Sequence, residues 1–443
     1  MTFTNIRKMK KIVFLFPLFV ACSCNDKSEP AKMKEDLSGL AEKYVRLGLT
    51  IGQYDPDFVD AFYGPDSLKP IGPKQPVFPK DSLLAAVNSL RDSLNSITAI
   101  TTNDTIRKRS AWLSSQLLAF ARRIRIDAGE FGSFDDESKE LYGATAQVYD
   151  ERHFQSLVGK LDSLLPGKGS IPARFQQLAN HFIIPKDKLD TVFKTAIAEC
   201  RKRTRAHYPL PENETFELEY VNNKPWSGYN WYKGNYKSVI QINTDLQIFI
   251  DRAIDVGSHE SYPGHHVYNM MLEKNLYHDK GYVEISLYPL YSPQSLIAEG
   301  SANYGIEVAF PGQEKTDFAK HVLLPLAGLD TTGTDIYFKA LAIRDQLNYA
   351  RNEVGRGLLN STMTETEALR WLMNYCLLNH ETAVKSISFI RKNRSYVINY
   401  NYGKDLVKQY IESREKTGNG PSDRWSLFGW LLSNEVRPSD LLN

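Results

Sequence analysis

The segment that decides the fold reads GSHESYPGHH and covers residues 257–266. It holds three of the chain's nine histidines, one glutamate and a proline–glycine pair. A helix that binds a metal ion commonly carries two histidines four residues apart, because that spacing places both side chains on one face. Here Pro263 stands four residues after His259, and the next histidines are His265 and His266.

The proline–glycine pair predicts a distortion that restores this spacing. Proline lacks a backbone donor and glycine tolerates an irregular backbone, so we expect a local bulge. On an undisturbed helix His265 would lie about 240° around the axis from His259, and His266 about 10.5 Å along the axis. With two residues out of register, His259 and His265 become a ligand pair, and His266 is the alternative second ligand. Glu260 then stands in the position of a general base.

A catalytic zinc site needs a third protein ligand and one position for water. Glu299 follows His259 by 40 residues on its own predicted helix, and it is the candidate third ligand. Asn303 and Glu307 lie on the same face of that helix and are predicted to support the ligands. The sequence therefore predicts Zn²⁺ as the cofactor, with packed polar side chains as the alternative interpretation.

The N-terminus has the features of a cleaved export signal. A basic stretch precedes an apolar run at positions 12–20 that is too short to cross a membrane. Residues 1–21 are predicted to be a lipoprotein signal peptide with Cys22 as the lipid site, Cys24 as a second candidate, and plain secretion as the alternative. We expect an exported protein at the cell envelope that contacts the membrane only through its lipid anchor.

Composition limits the class of protein. The chain has 443 residues, of which 42% are hydrophobic and 24% charged, as in a globular protein with a large core. The formal net charge is +2, and without the four cations of the signal peptide the balance turns slightly negative, which argues against a nucleic-acid partner. The remaining cysteines, Cys200 and Cys376, are predicted to be structural thiols or at most one bridge.

The chain divides into a tether at 22–35, an N-terminal helical region at 36–205 and a catalytic-like region at 206–443, with 36–443 expected to form one unit. Apolar residues three and four apart dominate outside one short stretch. In that stretch, which begins at Glu214, the runs TFELEYV, SGYNWYKG and KSVIQINTD predict a small antiparallel sheet. The predicted fold is mainly α, with that sheet next to the motif helix.

Two segments resemble a known bacterial family. The chain carries HESYPGH at 259–265 and EGSANY at 299–304. These are similar to the His-Glu-x-x-Pro-Gly-His and Glu-Gly-x-Ala-x-Tyr segments of the DUF885 family. That family is grouped with the gluzincin-type zinc metallopeptidases and resembles their helical carboxypeptidases.

Carried over, the resemblance implies a multi-helix metallopeptidase-like fold. It implies His259, His265 and Glu299 as zinc ligands and Glu260 as general base. The segment YNYGK, which begins at Tyr400, is similar to a C-terminal segment of the family and makes Tyr400 a candidate donor to the oxyanion. A packed aromatic side chain is the alternative role for Tyr400.

The chain also departs from the family's pattern. In ARNEVGRGLLN (350–360) only Arg351 matches, because Gly355 and Leu359 stand where the family has an acid and a histidine. These departures put the substrate contacts in question. His266 is a second candidate donor to the oxyanion.

The predicted function is zinc-dependent hydrolysis of peptide bonds, with Glu260 as base and a peptide as the partner. The strand SVIQIN (238–243) is expected to hold an extended peptide by edge pairing, since it precedes the motif helix. The alternative is a surface-anchored binding protein that keeps a peptidase-like fold with little or no activity. A third interpretation is a metal-dependent hydrolase that acts on another bond.

Overall fold

The structure, a computed structural model, describes residues 1–2, 29–224, 226–417 and 423–442. The predicted signal peptide, apart from its first two residues, and both candidate lipidation cysteines lie outside this part of the chain. Most described residues are helical, which confirms the predicted mainly α class. Within the described ranges, no helix has both the length and the hydropathy to cross a membrane.

Helices fill the N-terminal region. They are α1 (Glu29–Gly52), α2 (Lys80–Ile100), α3 (Asp104–Asp127), α4 (Phe134–Tyr142), α5 (Glu151–Leu164), α6 (Ile171–Asn180) and α7 (Leu189–Arg205). Their apolar residues recur at helical spacing, and on α2 the buried side chains are Leu83, Val87, Leu90 and Leu94. Helix α1 begins inside the predicted tether, because an acid and a proline in a first turn favour helix initiation.

The region after residue 206 continues with helices. They are α8 (Ile250–Glu260), α9 (His265–Leu272), α10 (Pro293–Ala309), α11 (Glu314–Phe318), α12 (Leu324–Ala327), α13 (Thr334–Leu347), α14 (Ala350–Leu359), α15 (Glu365–Asn374), α16 (His380–Asn393), α17 (Ile398–Thr417), α18 (Arg424–Leu432) and α19 (Pro438–Leu441). A π-helical stretch, Glu273–His278, extends α9. Ser292 caps α10 by accepting a hydrogen bond from the amide of Ser295.

The strands form two small sheets. They are β1 (Val59–Phe62), β2 (Thr215–Val221), β3 (Gly228–Gly234), β4 (Lys237–Asn243) and β5 (Leu287–Pro289). In the larger sheet the order is β2-β4-β3, with β3 antiparallel and β2 parallel to β4. The smaller sheet pairs β1 with β5 in antiparallel fashion and was not predicted, since strands of three or four residues leave no periodic pattern.

The larger sheet is thus mixed, where the sequence predicted an antiparallel one. Asn235 and Tyr236 have φ values of 52° and 59°, so a tight turn joins β3 directly to β4. Because this hairpin takes one side of β4, β2 pairs with the opposite side, where both strands run in the same direction.

Helix α10 lies at the centre of the molecule. Buried apolar residues from Leu37 to Leu441 form one continuous core, and α10 is buried on nearly all faces. A Cβ placed on Gly300 would lie 2.3 Å from the carbonyl oxygen of Gly403, so the backbones of α10 and α17 are in close contact. This contact brings the buried Glu299 and the partly exposed Tyr400 into the same region of the molecule.

The two cysteines of the described chain are both buried free thiols, in agreement with the first of the two predictions. Burial raises the pKa of the Cys200 thiol to about 12, so it stays protonated. Neither cysteine belongs to the group of side chains described below.

Candidate metal centre

The motif helix is broken at the proline–glycine pair. Helix α8 ends at Glu260 and α9 begins at His265, with Ser261 (φ −117°, ψ −94°) and Gly264 (φ −78°, ψ −138°) outside the helical region. A Cβ on Gly264 would lie 1.9 Å from the carbonyl oxygen of His259, so only glycine fits there. The predicted bulge is therefore a complete break between two helices.

This break brings the three predicted ligands together. The Nε2 atoms of His259 and His265 lie 3.1 Å apart. Glu299 Oε2 lies 3.3 Å from the first and 3.8 Å from the second. Ligand bonds of about 2.0–2.2 Å in tetrahedral geometry correspond to separations of roughly 3.3–3.6 Å between ligand atoms, so the triangle has the size of one face of a zinc site.

The hydrogen bonding of the Glu299 carboxylate indicates whether a metal ion would fit between the three side chains. Tyr396 donates its hydroxyl to Glu299 Oε1 at 3.0 Å. Glu299 Oε2 is buried and has no hydrogen-bond partner in the described part of the chain, although it faces two imidazole nitrogens. Buried polar atoms are nearly always satisfied, and a cation between the three groups would satisfy this one. The donor set of two nitrogens and one carboxylate suits zinc.

Asn303 fixes the tautomer of His259. Its Nδ2 donates to the carbonyl oxygen of Tyr400 at 3.0 Å, which leaves Oδ1 facing His259 Nδ1 at 3.0 Å. This contact favours the neutral tautomer of His259 that carries its proton on Nδ1, in which Nε2 presents a lone pair towards His265 and Glu299. Glu307, the other predicted supporting residue, instead pairs with two lysines of α17 because it lies two turns further along α10.

The pKa values of the grouped side chains suit metal ligands at His265 and Glu299 and a general base at Glu260. Burial and the charge of His259 lower the pKa of His265 to about 4, so this imidazole is neutral at physiological pH. Burial opposes ionisation of Glu299, but the two histidines outweigh it and lower the pKa. Burial raises the pKa of Glu260 to about 7, and the charge of Glu299 adds to the rise. Glu260 can therefore gain and lose a proton near neutral pH.

Strand β3 borders this group directly. Asn230 donates through Nδ2 to the carbonyl oxygen of Glu260 at 2.6 Å. A Cβ on Gly228 would lie 2.4 Å from Val256 and 3.1 Å from Glu260 Oε1, so the glycine lets the strand contact the helix. The expectation that the strand at 238–243 offers a free edge is wrong, because it is β4, the central strand, with neighbours on both sides.

Tyr400 lies on the solvent side of the group. It is 38% exposed, and its ring centroid lies 5.6 Å from that of Tyr396. Surrounding protein atoms and the charges of Glu299 and Glu260 raise its pKa well above the usual value, so the phenol keeps its proton. This position is compatible with the predicted donor role.

His266 lies elsewhere. It is fully buried, with Nε2 3.2 Å from Glu214 Oε2 and Nδ1 2.8 Å from Ser238 Oγ. Consecutive residues of a helix point about 100° apart, so His266 faces the sheet when His265 faces the ligands. This position corrects the prediction that His266 donates to the oxyanion, and it is His265 that lies next to His259 and Glu299.

Two further residues near the group escaped sequence reasoning. Tyr229 of β3 donates its hydroxyl to Asp60 of β1. Burial raises the pKa of Asp60 to about 6 and the charge of Glu299 adds to the rise, while the hydrogen bond from Tyr229 opposes it. Nothing in the pattern around Asp60 marks it, because β1 is short and lies far from the motif in sequence.

The segment that departs from the family's pattern lies nearby. Arg351 is within electrostatic range of Tyr400, and its buried Nε has no hydrogen-bond partner in the described ranges. Gly355 packs against Phe134, since a Cβ there would lie 2.9 Å from the ring. An acid at position 355 would not fit without a shift of that ring.

The sequence matches no family model and no curated protein. Among solved structures, it is similar to a candidate lipoprotein from Colwellia psychrerythraea, at 15% identity and a TM-score of 0.53, over 81% of this chain and 65% of the other. This chain thus spans just under two thirds of the length of that protein. At such identity the similarity shows a shared fold alone.

Two other solved structures are similar with lower scores. One is a candidate lipoprotein of unknown function from Shewanella oneidensis (12% identity, TM-score 0.49, covering 82% of this chain and 72% of the other). The other is the M32 carboxypeptidase from Deinococcus radiodurans (11% identity, TM-score 0.46, covering 93% and 94%).

Proposed function

We propose that this protein is a zinc-dependent hydrolase of peptide bonds. The observation that supports it most is the convergence of His259, His265 and Glu299. Their facing ligand atoms include a buried carboxylate oxygen that has no hydrogen-bond partner among the residues the structure describes. Glu260 lies next to this group with a pKa raised to about 7. Two imidazoles, one carboxylate ligand and a separate carboxylate base are the set that metal-assisted hydrolysis requires.

A bound zinc ion would supply Lewis-acid chemistry, making a water molecule more acidic and polarising a carbonyl group. Glu260 takes the proton of the attacking water and passes it to the leaving amine. Tyr400 donates its hydroxyl to the oxyanion of the tetrahedral intermediate, a contribution of about 3 kcal/mol where such donors have been removed. Asn303 keeps the Nε2 atom of His259 unprotonated throughout.

Strand β3 is the proposed docking edge for the substrate. It is the outer strand of the sheet nearest the ligands, and Gly228 lies against the carboxylate of Glu260. An extended peptide that pairs with β3 would pass the base at this point. The guanidinium of Arg351, which lies within electrostatic range of Tyr400, is a candidate contact for a substrate carboxylate, as an enzyme acting at a C-terminus would need.

We also propose that the protein is exported and held at the cell envelope by a lipid on Cys22 or Cys24. This proposal comes from the signal-like N-terminus, and those cysteines lie outside the described residues. Among the described residues the buried core begins at Leu37, so the lipid would act on localisation and not on catalysis.

The test is turnover of a broad peptide library by the purified full chain. We expect hydrolysis that a chelator abolishes and zinc restores. The Glu260→Gln variant should not hydrolyse the same peptides. Hydrolysis that survives complete metal removal would overturn the proposal.

The second candidate is a surface protein that binds peptides without cleaving them. Gly355 and Leu359, which replace an acid and a histidine of the family pattern, favour it. Zinc binding together with peptide binding, but no turnover of any library member, would support this candidate against the first.

A further inference from the structure

A second buried polar network adjoins the metal centre and is built around Glu214, whose side chain is 0% exposed. Its Oε1 accepts hydrogen bonds from Arg201 Nε at 2.9 Å and from Arg205 at 2.8 Å. Its Oε2 accepts a hydrogen bond from the hydroxyl of Tyr262 and lies 3.2 Å from His266 Nε2. The two arginines belong to α7, while Tyr262 and His266 belong to the motif segment.

Tyr262 and His266 stand on opposite sides of the proline–glycine pair, with Tyr262 inside the helix break and His266 in the first turn of α9. Tyr262 directly precedes the proline–glycine pair, and His266 directly follows the ligand His265. Few backbone hydrogen bonds hold the break itself. The amides of Ser261 and Gly264 donate to Gly257 O and Ser258 O, each at 3.2 Å. The amides of Val267 and Tyr268 donate to Ser261 O at 3.4 Å and to Gly264 O at 2.9 Å. The position of His265 therefore depends on side-chain contacts at both ends of the break.

The ring of His266 is fixed at both nitrogens. Nε2 faces Glu214, and Nδ1 lies 2.8 Å from Ser238 Oγ on β4. Because His265 and His266 are consecutive in one helical turn, fixing one side chain fixes the direction of the other.

Stability alone does not explain a carboxylate at this position. Burying an ion is costly, and apolar side chains of similar volume often stabilise a core as well or better. Hydrogen bonds from His266, Tyr262 and Arg201 outweigh burial and lower the pKa of Glu214 to about 2, so it is ionised throughout the physiological range. An ionised carboxylate that accepts hydrogen bonds at both oxygens fixes the orientation of each side chain that donates to it.

We propose that Glu214 is a positioning residue that holds both ends of the helix break and thereby places His265 for metal binding. The inference rests on the proposed function, because it requires that the triad of His259, His265 and Glu299 binds zinc. Glu214 acts through Tyr262 and His266 and touches neither metal nor substrate.

The experiment compares the zinc affinity of the full chain and of Glu214→Gln by competition with a chromogenic chelator. Outer partners of metal ligands typically contribute 10–100-fold to affinity, so we expect the variant to bind zinc about 10–100-fold more weakly. The absorption spectrum of the Co²⁺-loaded chain should also change, because the geometry of the ligands changes.

Glu284→Gln is the matched control. Glu284 is also a fully buried carboxylate bound by an arginine, with Arg109 at 2.5 and 2.8 Å, but it does not contact the break. Both variants lose a buried ion pair and should be destabilised, yet Glu284→Gln should keep the wild-type zinc affinity and Co²⁺ spectrum.

Tyr262→Phe provides a milder variant that removes one hydroxyl donor, in case Glu214→Gln does not fold. A folded Tyr262→Phe should lose part of the zinc affinity. Wild-type affinity in the folded variants, or an equal loss in Glu284→Gln, would overturn the positioning role. Failure of the wild-type chain to bind zinc would instead overturn the proposed function, and the positioning role with it.

Discussion

At the scale of single residues, the decisive feature is that three side chains from separate helices face one point. His259 lies in the last turn of α8, His265 begins α9 and Glu299 lies on α10, and their ligand atoms are mutually 3.1–3.8 Å apart. Hydrogen bonds with Asn303 and Tyr396 fix the orientations of His259 and Glu299, respectively. Such support is typical of metal ligands.

The first prediction concerns metal content. The wild-type chain should contain about one zinc ion, and His259→Ala and His265→Ala should each lose most of it, because two protein ligands do not hold a structural or catalytic zinc ion well. Elemental analysis of the purified variants measures this. His266→Ala is the control, since its ring faces Glu214, and it should keep more zinc than either ligand variant; the reverse order would contradict the assignment.

The second prediction separates binding from chemistry. Glu260→Gln should keep its zinc, because Glu260 is not a ligand, and should lose about 10²–10⁴-fold in kcat through loss of the base. Steady-state kinetics on a peptide that the wild-type chain cleaves would show this. A variant with unchanged kcat would rule out Glu260 as the base.

At the scale of secondary-structure elements, close backbone contacts determine where the ligands meet. Helix α10 contacts α17 through Gly300 and Gly403, and β3 contacts α8 through Gly228. In each case the absence of a side chain lets the elements approach closely enough for Glu299, Tyr400 and Glu260 to share one region.

The third prediction tests the contact between α10 and α17. Gly300→Ala places a Cβ 2.3 Å from a carbonyl oxygen of Gly403, so it should destabilise the protein by roughly 1–3 kcal/mol and weaken zinc binding through Glu299. Gly159→Ala on α5 is the control, since a Cβ there meets nothing within 4 Å, and it should stabilise by about 0.5–1 kcal/mol. Chemical denaturation measures both, and a gain of stability in both variants would contradict the close contact.

The same scale explains which predictions from sequence needed correction. Apolar residues three and four apart predicted the helices, and the serine and proline before α10 marked its start. The strand at 238–243 was placed at an edge, although it is central, because strand order depends on pairings between distant segments. The roles of Asp60, Tyr396 and Glu214 depend on the same long-range packing.

At the scale of the whole molecule, one core joins the N-terminal helices to the candidate metal centre. Buried ion pairs connect distant parts of the chain, among them Arg109 with Glu284 and Arg201 with Glu214. Removing one partner of such a pair leaves a buried charge uncompensated, so global stability should depend on the ionisation of these groups.

The fourth prediction concerns the pH dependence of stability. The pKa of Glu214 is lowered from 4.5 to about 2 in the folded protein. Its contribution is therefore complete above the unfolded value and is lost as the pH falls from about 4.5 to about 2. The free energies of unfolding of wild type and Glu214→Gln should differ most at neutral pH and converge near pH ~2. A difference that is constant with pH would contradict this assignment.

The sequence by itself determined the mainly α class and the set of candidate ligands, because helical periodicity and the spacing of His259, Glu260, His265 and Glu299 are local properties of the chain. Tertiary structure decided that His265 rather than His266 joins His259 and Glu299, and that β3 rather than β4 borders the base. It also placed Glu214 behind the helix break. These outcomes depend on contacts between residues far apart in sequence, and packing of the core selects among them.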